Sequence, residues 1–328
     1  MIQKRHIAPL LAGLMLLAAC NKEQEPVLAD TDGVPAGHLK LSVENPRPAN
    51  GSKPLLDGLY TYWKDGDRVY VNNITNYVAE DSYGLYLRNT IRPPAENEYY
   101  IAGTFPFFSD QNGTANTSYS IPSNGGKNLF FDCPASYNYS VTSDGKIDLG
   151  NIPMVAVAER TASELTFKHL TATINVKITN NSNARFVVSG VEITSDNAML
   201  SGNKEIFVSR NNTVTVTPTT TNTGSQKKVT INFTSTPTDE KTIAGGQSMN
   251  VSVPILPVAS AKTLTFSVNG TLFRDGTNNN GETKSFTKTI TLNRAINRND
   301  YLNGVFTQEF FLDFNTGEGF SNGGSSSI

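Results

Sequence analysis

Side chains that carry chemistry are scarce in this sequence: two cysteines, three histidines and one tryptophan in 328 residues. Cys20 and Cys133 cannot build a disulfide framework, and with His38 and His169 each standing alone they cannot supply a zinc site of the usual kind. His169 reads as a packing or capping residue. Cys133, just after Leu129-Phe130-Phe131, reads as a buried thiol in preference to half of a Cys/His nucleophilic pair. No HExxH, GxSxG, P-loop or GxGxxG occurs, which removes the enzyme classes those motifs mark. The acidic pieces at 30–33 (DTDG) and 65–67 (DGD) lack the spacing and terminal Glu of a calcium loop and are read as turns. Asp65, Asp67 and Glu159 fall in turns or at strand edges, where solvated charge is the default, so a hydrolase with paired carboxylates is the least favoured class. No metal, no cofactor and no catalytic residue is expected.

Charge is also sparse. Charged residues make up 17% of the chain, against about 25% in ordinary soluble proteins. Thr, Ser and Asn take their place, a surface that suits extracellular β-proteins. The 27 basic and 29 acidic side chains net −2 and form no basic face, so nucleic acid is excluded as a partner. An amphipathic helix of ten or more residues is missing after the first twenty, and with it any α/β architecture.

What is present begins with a leader. Residues 1–19 carry Lys4 and Arg5, then an apolar run at 7–17, too short for the roughly 20 residues a membrane span needs. They read as a signal peptide; losing it takes the basic count from 27 to 25 against 29 acidic, a net of −4. Leu17-Ala18-Ala19-Cys20 resembles a bacterial lipobox, which implies that Cys20 takes a lipid and becomes the first mature residue. Residues 20–37 are polar with no apolar period and read as a tether. The acidic Glu23, Glu25 and Asp30 behind Cys20 resemble a surface-export signal, which implies the outer face of the outer membrane.

From residue 38 the pattern is all-β. In HLKLSV, Leu39, Leu41 and Val43 face one way and His38, Lys40 and Ser42 the other, as in a half-buried strand. Residues 44–54 (ENPRPANGSKP) are a loop with three prolines, followed by short strands separated by Gly/Asn/Ser/Pro clusters. Asp65-Gly66 and Asp144-Gly145 are hairpin signals. The most regular stretch places Ala172, Ile174, Val176 and Ile178 on one face. It turns at 180–183 and resumes with Phe186, Val188, Val191 and Ile193, Ser189-Gly190 shifting the alternation as a β-bulge does. It is expected to be a hairpin closing an N-terminal sandwich at 38–202. Seven further strands predict a C-terminal sandwich at 203–314, and 315–328 is a Gly/Ser-rich tail. The last strand presents Phe306, Phe310, Leu312 and Phe314 on one face.

Several motifs resemble those of the fimbrillin-like proteins, pilus and surface subunits of Bacteroidales-type bacteria. They are Leu165-Thr166-Phe167-Lys168-His169-Leu170 followed by VSGVEIT, the run from Trp63-Lys64-Asp65-Gly66 to Tyr70, Tyr99-Tyr100-Ile101-Ala102-Gly103-Thr104-Phe105-Pro106, and Pro153-Met154. The resemblance implies two tandem transthyretin-like β-sandwiches behind a lipoprotein signal peptide, in a fimbrial subunit on the outer-membrane surface. Its implied partners are other fimbrial subunits, the membrane through its lipid, and host or bacterial surface ligands. It also implies an assembly route: a protease removes the first strand (Leu39, Leu41, Val43), and the C-terminal strand of a neighbour (Phe306, Phe310, Leu312, Phe314) fills the vacated groove. This chain departs from the pattern at the cut, because the only arginine in the loop, Arg47, is followed by Pro48. The rival from another class is a stand-alone glycan-binding surface lipoprotein with Tyr60, Tyr62, Trp63 and Tyr86 as a stacking platform.

Overall fold

The computed structural model describes residues 35, 37–44, 63–82, 84–141, 147–149, 152–218, 227–274, 281–300 and 307–312. Every named element among them is a β-strand, so the all-β expectation holds. The first eleven are β1 (Lys40–Val43), β2 (Arg68–Val71), β3 (Ile74–Asp81), β4 (Gly84–Leu87), β5 (Tyr99–Gly103), β6 (Gly126–Cys133), β7 (Ser136–Asn138), β8 (Ser140–Val141), β9 (Ile147–Asp148), β10 (Met154–Glu159) and β11 (Glu164–His169). They are followed by β12 (Ala172–Asn180), β13 (Arg185–Ser195), β14 (Gly202–Ser209), β15 (Val214–Thr215), β16 (Lys228–Asn232), β17 (Thr242–Ile243), β18 (Ser248–Ile255), β19 (Thr263–Phe273), β20 (Glu282–Thr291) and β21 (Thr307–Leu312).

The N-terminal sheet is not one half of an open sandwich: it closes into a barrel in the order β1-β11-β10-β5-β2-β3-β4. Its interior holds Leu39, Leu41, Trp63, Val69, Val71, Val78, Leu87, Tyr100, Ala102, Met154, Ala156, Leu165 and Phe167. Alternate residues of the same strands, Tyr99, Ile101, Val155 and Val157, point outward into a second core. That core is covered by the three-stranded sheet β15-β14-β6, with Leu129, Phe131, Ile206 and Val208 facing it. Being covered on both sides, β5 is buried at all five residues, which accounts for its unbroken apolar run where a one-sided strand would alternate. The two-residue turn that joins β2 to β3 is Asn72-Asn73, both at positive φ (48° and 59°), the type of hairpin turn that tolerates Asn. Asp65-Gly66, by contrast, lies in the turn that leads into β2.

The bulge expected at Ser189-Gly190 is present, since the pairing of β13 with β19 shifts between Val188 and Gly190 and keeps Phe186, Val188, Val191 and Ile193 all fully buried. The hairpin is not. β12 pairs with β18 and β21, whereas β13 pairs with β16, β17 and β19. The chain arches from one sheet to the other at Asn180, whose buried amide donates to the carbonyls of Ala184 (2.7 Å) and Ile243 (3.0 Å) while its oxygen accepts from the Ser182 hydroxyl (2.7 Å). Either connection puts the same apolar faces on one core, so periodicity cannot distinguish them. The sheets β18-β12-β21 and β20-β19-β13-β16-β7 share a single core, which takes in Tyr137, Tyr139 and Leu149 and then residues from Ala172 to Leu312. Residues 172–200 therefore pack with the C-terminal core, and β14 pairs along its length with β6. The Asn/Thr/Ser-rich stretch near 202 marks a change of sheet, where the chain leaves the core holding Leu200 for the one holding Ile206 and Val208, and not the start of the C-terminal core.

At the bulge, a Cβ on Gly270 would meet the Val187 carbonyl oxygen at 2.4 Å and the Phe186 ring at 2.5 Å. Gly270→Ala is expected to cost about 1–3 kcal/mol, read as a lower denaturation midpoint with an unchanged slope.

Candidate functional site

Strand β1 completes the barrel wall. It pairs in parallel with β11 over four residues, Lys40↔Glu164 to Val43↔Phe167, and meets β4 at Lys40↔Tyr86. The Lys40 N–H donates to the Ser163 carbonyl (2.9 Å), the Glu44 N–H to Phe167 (2.7 Å), and the Leu87 N–H to Leu39 (2.9 Å). Leu39 and Leu41 are buried in the barrel and Val43 packs on its rim. On the outer side the Ser42 hydroxyl donates to Thr166 (3.1 Å), and Lys40 is exposed. Burial of the two leucines is worth roughly 1.5–3 kcal/mol each. This four-residue strand therefore rests mainly on two side chains and a short parallel ladder.

A charged cluster fixes its far end. The Glu44 carboxylate accepts from Arg298 Nη1 (2.7 Å) and from the backbone N–H of His169 (2.8 Å), with Lys168 Nζ at 3.7 Å. Arg298 is oriented independently, its Nε donating to the Val214 carbonyl (3.0 Å) and its Nη1 to the His169 carbonyl (3.1 Å). Glu44 is mostly buried and both cations about a quarter exposed, so the cluster is partly desolvated and stronger than a surface pair. Composition offered no signal for it, because the partners lie 254 residues apart.

His169 sits beside this cluster, buried, with Nε2 lacking a hydrogen-bond partner. Burial lowers its pKa to about 4, Arg298 adding to the shift and Glu44 opposing it. The FKHL histidine is thus a packed residue, as its isolation suggested. Burial likewise pushes the Cys133 thiol up to about 12, which makes it a poor nucleophile. Among the described residues, no group of three His, Cys, Asp or Glu side chains gathers as a metal site would need.

The tail strand lies elsewhere. β21 runs parallel to β12, at the edge of its sheet, from Asn175↔Thr307 to Asn180↔Leu312, and the Asn181 N–H donates to the Leu312 carbonyl (2.8 Å). Leu312 is fully buried in the C-terminal core and Phe310 is in register with Ile178. Phe306 and Phe314 lie outside the described residues, as do Cys20, Arg47, Pro48, Tyr60 and Tyr62. The stacking platform fails where it can be checked. Trp63 is buried edge-on to Phe167 (4.9 Å between centroids), and Tyr86 is buried with its hydroxyl donating to Asp81 (2.7 Å).

Because His169 is neutral when folded and free to protonate when unfolded, the unfolded chain binds more protons between its ordinary pKa of about 6.5 and the folded value. Stability is fully retained above pH 6.5 and falls as pH drops toward 4, by up to roughly 3 kcal/mol in all. Denaturation midpoints at pH 7 and pH 5 are expected to converge in His169→Gln.

No family model matches the sequence, and no curated protein is similar enough to match it. Some solved structures are distantly similar. A candidate cell adhesion protein from Bacteroides ovatus is 10% identical, with 84% of this chain and 91% of that one covered and a TM-score of 0.37. A fimbrial protein from Bacteroides vulgatus is 12% identical, with 84% and 94% covered and a TM-score of 0.32. A candidate cell adhesion protein from Bacteroides uniformis is 13% identical, with 79% and 99% covered and a TM-score of 0.28. Likenesses this remote neither establish the fold nor assign a role.

Proposed function

We propose that this chain is a structural or adhesive fimbrial subunit, lipidated at Cys20 and displayed on the outer membrane, that joins its neighbours by strand replacement. The observation that carries this reading is the barrel seam. β1 is a short terminal stave between β11 and β4, joined to the rest of the chain by residues 45–62 alone. A cut in that stretch turns β1 from a tethered strand into a separate peptide, and its effective concentration falls accordingly. Its departure leaves two open sheet edges beside the apolar wall of Leu87, Leu165 and Phe167, a site for an added strand that offers main-chain hydrogen bonds and pockets for alternate side chains.

The occupant is the C-terminal strand of another copy, with Phe306, Phe310, Leu312 and Phe314 as its apolar face. Withdrawing β21 unpairs it from only one neighbour, since it is an edge strand, but it exposes Leu312, at a cost of about 1.5–3 kcal/mol. Filling a neighbour's groove offsets that cost. A head-to-tail contact of this kind does not close on itself and grows into a fibre. Since Pro48 shields Arg47 from a trypsin-like cut, processing uses a protease that tolerates proline or cleaves elsewhere in 45–62. A copy left uncut keeps its lipid and its closed barrel and serves as the anchor.

A chain beginning at Leu55 is expected to form ladders resistant to sodium dodecyl sulfate on incubation, and deletion of 305–314 to abolish them. Truncated protein that stays monomeric, while binding glycans on an array, would overturn the reading in favour of a carbohydrate-binding role.

A further inference from the structure

We propose that Arg298, Lys168 and the His169 N–H form a seat that reads a carboxylate on whatever strand occupies the β1 position, and that in a strand from a second copy Asp313 supplies it. This rests on the strand-replacement reading above. The seat itself is a matter of geometry. Glu44 directly follows Val43, the inward residue after Leu39 and Leu41, and its N–H donates to the Phe167 carbonyl (2.7 Å), so the carboxylate is placed in fixed register with β11. Arg298 is held by the Val214 and His169 carbonyls as well as by Glu44, and it therefore remains aimed at the seat when β1 leaves. An empty seat leaves a partly buried guanidinium and a backbone N–H without their acceptor, which penalises any occupant lacking an acid there.

The required pattern is inward residues at i, i+2 and i+4 with an acid at i+5, as in Leu39, Leu41, Val43 and Glu44. Sliding the tail along this template settles its register. A frame starting at Phe306 puts Phe311 in the seat, and one starting at Phe310 puts Asn315 there. The frame ending in Glu309 makes Gly304, Phe306 and Gln308 the inward residues, only one of them apolar. The frame Gln308, Phe310, Leu312 puts two large apolar residues in the places of Leu41 and Val43 and Asp313 in that of Glu44. It also runs parallel to β11 in the sense β1 already uses, and β21 already pairs in parallel with β12.

The test uses the full chain carrying a specific-protease recognition sequence in place of residues 48–53. It is cut once and then titrated with synthetic peptides of residues 305–316, and release of the N-terminal fragment is followed by native mass spectrometry. The unaltered peptide is expected to release the fragment. The Asp313→Asn peptide should need roughly ten- to a hundredfold more, and the Glu309→Gln peptide no more than the parent. In Arg298→Gln protein the parent and Asp313→Asn peptides should become equivalent. If that protein does not fold, Lys168→Met narrows the gap between them instead. Failure of every peptide to release the fragment would overturn strand replacement itself. Equal release by the parent and Asp313→Asn peptides from unaltered protein would overturn the carboxylate seat and leave strand replacement standing.

Discussion

A β-barrel has no edges only while every stave is in place, and here the closing stave is a strand of four residues, the first of the described strands. Four residues of β1 close a seven-stranded wall. On one side they meet β11 through a parallel ladder and on the other β4 at a single register pair. Parallel pairing is slightly weaker per residue than antiparallel pairing, so the seam depends on Leu39 and Leu41 reaching the barrel interior. The rest of the barrel wall is held differently. β10, β5, β2 and β3 are held by antiparallel ladders, and β5 and β10 are clamped from inside and outside by two separate cores.

The opposite end of the chain obeys a similar constraint. β21 is the last of the described strands, parallel to β12, its one neighbour among the described residues, and it too is anchored by a buried leucine, Leu312. The two ends differ in electrostatics. β1 terminates in the Glu44 cluster, which reaches across 254 residues to Arg298. That contact ties the barrel to the segment between β20 and β21, and through Val214 and His169 to the covering sheet and to β11. A partly desolvated charge cluster contributes less net stability than its distances suggest, because desolvation offsets the Coulomb attraction. Its main consequence is register, since only one placement of the strand satisfies it.

Much of this was legible in the residues themselves. The alternation of Leu39, Leu41 and Val43 marked a half-buried strand, and that of Ala172, Ile174, Val176 and Ile178 marked another. The Ser189-Gly190 shift marked the bulge, and the isolation of His169 and Cys133 marked them as packed side chains. Aromatics were harder to place, because a ring with a polar edge suits a solvent-facing stacking platform as well as a barrel core, and Trp63 is compatible with either. Composition near residue 202 signalled a loop correctly, but a loop can join two sheets of one unit as readily as two units.

Local sequence determined that this chain would be built of strands, where most of them lie and which of their residues turn inward, because side-chain alternation and turn chemistry are properties of neighbouring residues. Tertiary structure alone decided that the first sheet closes, that 172–180 and 185–195 part company into facing sheets, and that Glu44 meets Arg298. Those outcomes depend on which distant edges and charges find each other once the apolar faces are buried, and no short-range pattern encodes that choice.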